Sequence, residues 1–127
     1  MLSPNGERPF FAFLGAVAKS MLLWYTDEKI GGIQMKHLII VKSAPGVDAH
    51  AFAKEAENHF KDILTLSGIH QVKVIEGIRE HENRYHFIIE IDMDREALPA
   101  YNESRCHHEW KEKYGGRIEK KAIFDYE

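Results

Sequence analysis

The segment from 99 to 110 holds the densest set of reactive side chains in the sequence, reading Pro-Ala-Tyr-Asn-Glu-Ser-Arg-Cys-His-His-Glu-Trp. Its Tyr101 and His107 are six residues apart. On one continuous helix, at about 100° per residue, these two side chains would lie about 120° away from a common face. Asn102 and Ser104 between them carry polar side chains that compete for backbone hydrogen bonds, so we expect the helix to break there. With that break, Tyr101 and His107 can both face one pocket.

A tyrosine and a histidine in one pocket are suited to acid–base chemistry. An unperturbed imidazole has a pKa of about 6.5, so His107 can act as a general base near neutral pH. Tyr101 can donate its hydroxyl to an oxygen on which enolate charge develops. Such a pair needs no cofactor when a neighbouring carbonyl acidifies the proton that is removed. The alternative is that Tyr101 is a core aromatic with its hydroxyl at the rim and that His107 is a helix-end residue bonded to a carbonyl.

The other reactive side chains favour structural roles. Cys106 is the only cysteine, which excludes an internal disulfide, and it is more typical of a small residue near a helix end than of a nucleophile. His107 and His108 are adjacent and point apart on a helix, so joint metal ligation is not expected. The remaining histidines lack ligand spacing; they are His50, His59, His70, His81 and His86. We therefore predict no metal and no cofactor.

Length and charge restrict the classes of protein that fit. A chain of 127 residues accommodates one ordinary domain with one core. A net charge of −3, with basic and acidic residues mixed, gives no field to hold phosphates, so nucleic acid is not an expected partner. The apolar run from 10 to 25 is interrupted by Lys19 and Ser20 and is shorter than a bilayer span, so no membrane association is expected either. The single cysteine fits a reducing cytoplasm.

The first 34 residues are interpreted as an extension to the domain. Gly31 and Gly32 can be encoded by a sequence that binds bacterial ribosomes, and they lie shortly before Met35. We expect Met35 to be the natural start if the source is bacterial, with residues 1–34 translated from leader sequence and the domain spanning 35–127. The alternative is an amphipathic arm that packs on a partner surface.

Periodicity divides the domain into six elements. A β-branched run between Lys36 and Lys42 predicts a strand that is buried on both faces. Asp48 predicts the N-cap of an amphipathic helix that ends near Gly68, a residue that can adopt a left-handed conformation. Alternating side chains predict a hairpin of strands over 71–76 and 85–92 and a last strand over 121–126.

The second helical region lies between the hairpin and the last strand. Asp94 predicts its N-cap, and Pro99 is tolerated there only in the first turn or at a kink. A further turn or two carries Trp110 and is expected to end at Gly115 and Gly116.

The resulting order, βαββαβ, is the ferredoxin-like arrangement of an α+β protein, with both helices on one face of a four-stranded antiparallel sheet. Such a sheet needs only one apolar face. The first strand nevertheless carries apolar residues on both faces; they are Leu38, Ile39, Ile40 and Val41. Covering the second face requires another body, most economically a second copy of the chain. We therefore expect a homodimer with its sheets face to face, forming a dimeric α/β barrel.

Four pieces of the sequence, in order, resemble the stress-responsive dimeric α/β-barrel (Dabb) family. They are Lys-His-Leu-Ile-Ile-Val-Lys at 36–42, Phe-Ile-Ile-Glu-Ile-Asp at 87–92 followed by Glu-Ala-Leu-x-Ala-Tyr at 96–101, the Tyr-x5-His spacing, and Ile-Phe-Asp-Tyr at 123–126. The resemblance covers residues 35–127. The chain departs from the family pattern at Ser104 and Arg105, where His-Pro is usual.

The resemblance implies a dimeric ferredoxin-like barrel, of a family in which most members have no established activity. A plant polyketide cyclase has similar motifs, which implies an intramolecular aldol condensation of a poly-β-ketoacyl thioester. By the same resemblance Tyr101 and His107 are catalytic, and His37 on the first strand binds the ligand. Taken by itself, His37 is more typical of a core or rim histidine.

The predicted function is that of a stress-responsive barrel protein that binds a small hydrophobic carbonyl compound at Tyr101 and His107, with catalysis left open. One alternative is a cofactor-independent, cyclase-like lyase that uses the tyrosine and histidine. A second alternative is a cofactor-independent monooxygenase, which fold analogy alone supports.

Overall fold

Alternating burial along the central strands organises the fold. The first strand, β1 (Gln34–Ser43), buries every second residue, and β3 (Phe87–Asp94) does the same. Since successive side chains of a strand point to opposite faces, one face of these strands forms the core.

The computed structural model describes residues 32–78 and 82–127. The predicted extension over 1–34 therefore lies almost entirely outside the described residues, and the start at Met35 stays a prediction.

Two further strands, three helices and three 3₁₀ turns complete the domain. The remaining elements are α1 (Ala49–Phe60), a 3₁₀ turn (Lys61–Thr65), β2 (Ile69–Glu76), a 3₁₀ turn (Arg95–Ala97), α2 (Leu98–Asn102), α3 (Arg105–Tyr114), a 3₁₀ turn (Gly115–Arg117) and β4 (Ile118–Tyr126). The strands form one sheet in the order β2-β3-β1-β4, and every neighbouring pair is antiparallel. This confirms the predicted ferredoxin-like α+β fold and the hairpin of β2 and β3.

The first helix has the N-cap that the sequence predicts, and the glycine predicted to adopt a left-handed conformation follows its helical region. The Asp48 carboxylate accepts a hydrogen bond from the backbone N–H of Ala51 at 3.1 Å, which is the expected N-cap. After the 3₁₀ turn, Gly68 has a φ of +86°, and an added Cβ would lie only 2.9 Å from the Cβ of Ala97. Both the dihedral angle and the lack of space therefore require glycine at this turn.

The second helical region begins after Asp94, and its last helix ends at Gly115, as the sequence predicts, but neither residue caps the helix in the expected way. The side chain of Asp94 makes no cap hydrogen bond; its carboxylate instead binds the Gln34 amide at 2.5 Å and the His70 ring at 2.9 Å. The carboxylate is drawn to these two donors because β1 and β2 bring them beside the end of β3. Gly115 has a φ of −56° and continues into a right-handed 3₁₀ turn, so it is not a left-handed cap.

The two faces of the sheet differ in what covers them. On the helix side, buried strand residues such as Ile39 and Ile89 contact a core that includes Phe52, Phe60 and Trp110. On the open side, the strand registers align Ile75, Ile88, Ile40 and Ala122 in one row across all four strands. Phe124 next to this row is 57% exposed. The predicted second apolar face is therefore present.

The described helices are short. The longest of them has 12 residues, and none has the length and apolar character that crossing a membrane requires.

Candidate functional site

The turn between α2 and α3 separates Tyr101 from His107, as predicted. α2 ends at Asn102, and Ser104 adopts an extended conformation as the N-cap of α3. The Ser104 hydroxyl accepts a hydrogen bond from the His107 backbone N–H at 3.1 Å and donates one to the Tyr101 carbonyl at 2.7 Å. One side chain thus sets the backbone positions of both predicted catalytic residues, at the point where the family pattern has His-Pro.

The structure brings together the three residues that the sequence singled out. The ring centroids of Tyr101 and His107 are 5.0 Å apart, with an angle of 58° between the planes. The centroids of Tyr101 and His37 are 5.3 Å apart, at 63°. Tyr101 therefore lies between two imidazoles, one from β1 and one from α3.

The Tyr101 hydroxyl is buried and has no hydrogen-bond partner among residues 32–78 and 82–127. A hydroxyl without a partner in the interior carries a free-energy cost of about 1–3 kcal/mol. Burial raises the pKa of Tyr101 well above its ordinary value, and the neighbouring Cys106 raises it further. The phenol is therefore protonated at neutral pH and available as a donor.

His107 is held as a base with one free nitrogen. Its Nδ1 lies 3.0 Å from the carbonyl oxygen of Asn102. Since a carbonyl only accepts, Nδ1 carries the proton, and Nε2 of the neutral ring keeps its lone pair. Burial lowers the pKa of His107 below its ordinary value; the Asn102 hydrogen bond opposes this effect, and Lys111, Lys121 and His108 add to it. Neutral imidazole, the form that accepts a proton, is thus favoured near pH 7.

Asp125 is a site residue to which sequence reasoning gave no role. β4 places it directly opposite His37 on β1, and its carboxylate lies 2.5 Å from His37 Nδ1. The carboxylate fixes which nitrogen of the buried His37 faces β4 and leaves Nε2 for another partner. The available signal was an acidic residue within the apolar Ile-Phe-Asp-Tyr ending.

The only cysteine lies close to this cluster but is unsuited to nucleophilic chemistry. Cys106 is buried, and burial raises the pKa of its thiol to about 12, with smaller contributions from Asp62 and Glu109. The thiolate is the reactive form, so this sulfur is largely inert at neutral pH. The structure agrees with the structural role expected for it.

Two surface cavities are formed by described residues, and the second of them adjoins the turn before His107. One, of about 320 Å³, is lined by residues that include Ser43, Val47 and His86. The other, of about 300 Å³, is lined by residues that include Leu66 and Arg105. Neither is lined by Tyr101, His107 or His37. Tyr101 itself has no exposed surface, so a ligand reaches its hydroxyl only when the side chains that cover it move.

Solved structures share this fold at low sequence identity. A Dabb family protein with a ferredoxin-like fold from Mesorhizobium loti has a TM-score of 0.57 and 17% identity, over 74% of this chain and 95% of its own. A dimeric ferredoxin-like protein of unknown function from Thermobifida fusca has a TM-score of 0.63 and 10% identity, over 75% of this chain and 91% of its own. A hydroxynitrile lyase from Passiflora edulis has a TM-score of 0.60 and 8% identity, over 74% of this chain and 92% of its own.

These similarities establish the fold and leave the activity open. The sequence matches no protein-family model, and no curated protein is significantly similar to it. The fold is shared with a Dabb protein, whereas the roles expected for Tyr101, His107 and His37 stay predictions.

Proposed function

We propose that this chain binds a small hydrophobic carbonyl compound at the Tyr101–His107 site and catalyses proton transfer at the carbon next to the carbonyl, without a cofactor. The observation that carries the proposal is the Tyr101 hydroxyl, which has no hydrogen-bond partner among the described residues and lies beside His107, whose Nδ1 is bound and whose Nε2 keeps its lone pair. A substrate carbonyl oxygen is the partner that this hydroxyl lacks. His107 Nε2 then accepts the proton that the carbonyl has acidified.

The proposed mechanism assigns one role to each side chain. Tyr101 donates a hydrogen bond to the oxygen on which enolate charge develops. His107 removes the proton through Nε2 while its Nδ1–H remains on the Asn102 carbonyl. His37, oriented by Asp125, lies on the other side of the tyrosine ring and positions it. The enolate formed in this way is the nucleophile that a cyclase-like lyase of the olivetolic acid cyclase kind requires for aldol condensation.

The similarity in fold to a hydroxynitrile lyase supports lyase chemistry on this scaffold, by analogy only.

Exchange of α-protons for deuterium tests the proposal without knowledge of the natural substrate. Methyl ketones such as 2-heptanone are incubated in deuterated buffer with the protein, and loss of the α-proton signal is followed by NMR.

We expect exchange above the buffer rate, reduced by at least about 100-fold in His107→Ala, since general base catalysis contributes about 10²–10⁴-fold. His108→Ala is the matched control, because this neighbouring imidazole is exposed. Equal exchange in the two variants would contradict the catalytic role. Oxygen consumption with an anthrone-like quinol would instead indicate the predicted monooxygenase.

We further propose that the chain forms a homodimer through the open face of its sheet. The apolar row from Ile75 to Ala122 and the exposed Phe124 form a surface that a second copy would bury. The dimeric ferredoxin-like protein from Thermobifida fusca has the same fold. Sedimentation equilibrium should give twice the chain mass, and Phe124→Glu should shift the protein towards monomer. A wild-type monomer at high micromolar concentration would rule this interface out.

A further inference from the structure

The last strand carries a second set of side chains on the same side of the sheet as the site. In the register of β1 and β4, Asp125 lies opposite His37, Ile123 opposite Ile39, and Lys121 opposite Val41. Residues directly opposite each other on paired strands point to the same face. Since His37, Ile39 and Val41 are buried on the helix side, their three partners on β4 also lie on the helix side.

These three residues form an uncovered ledge, which we call the β4 ledge: Lys121, Ile123 and Asp125. β4 is an edge strand of the sheet, and the helices leave Ile123 50% exposed. The Asp125 carboxylate remains 41% exposed although it binds His37. The ledge thus presents a carboxylate at one end, an apolar side chain in the middle and a cation at the other end. At about 3.4 Å per residue, its two charged ends are about 14 Å apart.

A second lysine stands on the helix that borders the site. Lys111 follows His107 by four residues on α3, so the two side chains lie on the same face of that helix. Lys121 lies on the helix side of β4, opposite the buried Val41, and both lysines contribute to lowering the pKa of His107, in agreement with these positions. In the part of the chain that the structure describes, the lysines that form ion pairs are others; they are Lys36, Lys42, Lys73 and Lys113. The charges of Lys111 and Lys121 are therefore available to a ligand.

We propose that the ligand of this site is anionic: a small apolar compound with a carboxylate or phosphate at one end, which binds between Lys111 and Lys121. Its apolar part lies on Ile123, and its carbonyl reaches His107 and Tyr101. The Asp125 carboxylate repels an anion from the opposite end of the β4 ledge, so the ligand has one favoured orientation. This inference rests on the proposed function and adds to it the charge of the substrate and the residues that select it.

Three ligands with alkyl tails of similar length test the inference on the full-length protein. The probes are octanoate, octyl phosphate and the neutral octanamide, titrated while the NMR signal of the His107 ring is observed, so that binding is measured at this site. The signal is assigned by its absence in His107→Gln. We expect octanoate or octyl phosphate to bind about 10-fold more tightly than octanamide at low salt, and added sodium chloride to reduce the preference. The anion that binds more tightly shows whether the site prefers a carboxylate or a phosphate.

Paired double variants separate this site from general surface charge. Lys111→Gln with Lys121→Gln removes the two cations, and the preference for the anion should disappear. Lys113→Gln with Lys120→Gln makes the same change in net charge and should leave the preference intact. Lys120 is the suited control on β4 because it lies opposite Lys42 and faces the open side of the sheet.

Two results would overturn the inference. If octanoate, octyl phosphate and octanamide all bind equally tightly, or if both double variants lose affinity equally, the ligand is not selected by these lysines, although His107-dependent proton exchange would still support the proposed function. If no probe perturbs the His107 signal and no His107-dependent exchange occurs, both the inference and the proposed function fail.

Discussion

Two aromatic clusters meet on helix α3, and they differ in the chemistry around their polar atoms. At its C-terminal half, Trp110 stacks on Phe52 at 5.8 Å, and Arg117 lies 5.6 Å above the Phe52 ring. At its N-terminal end, His107 contacts Tyr101, which contacts His37. In the first cluster an indole packs on other aromatic rings beside an exposed, paired cation, whereas in the second a buried phenol lies between two imidazoles.

An unpartnered buried donor occurs in both clusters, so this feature alone does not identify a site. Trp110 Nε1 lacks a hydrogen-bond partner, as the Tyr101 hydroxyl does, among residues 32–78 and 82–127. The indole ring packs on Phe52, Phe60 and Tyr114, and its N–H does not titrate in water. The tyrosine has a neutral imidazole on one side and a carboxylate-bound imidazole on the other. The groups next to the buried donor, rather than its missing hydrogen-bond partner, distinguish a packing cluster from a candidate reactive site.

The largest expected effect is on the cluster around Trp110, which we call the packing cluster. Trp110→Ala should lower the free energy of unfolding by about 3–5 kcal/mol, because it leaves a cavity between Phe52 and Phe60. Urea denaturation followed by circular dichroism measures this loss. Trp110→Phe, which keeps a ring in the space, should lose less. A loss below about 1 kcal/mol for the alanine variant would mean that this cluster does not stabilise the fold as described.

Tyr101→Phe should produce the opposite result in the other cluster. Proton exchange should fall by about 10²-fold because the donor to the developing enolate is gone. The free energy of unfolding should stay the same or rise by up to about 1 kcal/mol, since the variant removes a buried hydroxyl without a partner. Rate and unfolding measurements on one preparation test both parts. A large loss of stability would show that the hydroxyl is hydrogen-bonded in solution.

A smaller effect is expected from the ion pair that covers the packing cluster. Arg117 binds Glu55 at 2.9 Å, and both side chains are substantially exposed. Glu55→Gln should therefore cost only about 0.2–1 kcal/mol, and less at high salt. Urea denaturation at two salt concentrations checks this. Loss of α-proton exchange in this variant would contradict the separation of the two clusters.

The pH dependence of stability should contain a small contribution from His107. Its pKa is lowered in the folded state, so the unfolded chain binds more protons as the pH falls below the ordinary imidazole value. Folding should lose this contribution as the pH falls from about 6.5 towards the lowered pKa. His107→Gln should lose less stability over that range than the wild type. Identical pH profiles would mean that burial does not perturb this imidazole.

Local features of the site were predictable because they depend on neighbours in sequence. The break between Tyr101 and His107 follows from the capping tendency of Ser104, and the sheet order follows from alternation of apolar residues. The pairing of His37 with Asp125 was not predictable. These residues are 88 positions apart, and a slip of two residues between β1 and β4 would preserve the alternation while giving His37 another partner.

The missing side-chain cap at Asp94 has the same origin. Sequence places an aspartate at the start of a helix, which is typical of an N-cap. Its competing donors, Gln34 and His70, come from two other strands and are near it only after the sheet has formed.

The hydrogen bonds of Ser104 have a consequence for the evolution of this site. A single hydroxyl joins the backbone N–H of His107 to the carbonyl of Tyr101, so no substitution there can move one of these residues alone. Threonine keeps the hydroxyl and is the one neutral step open to drift. Any other replacement removes both hydrogen bonds, so the proposed proton acceptor and proton donor would shift together. Selection on random variants should therefore recover changes in reaction preference at this position, without any change in a residue that is proposed to contact the ligand.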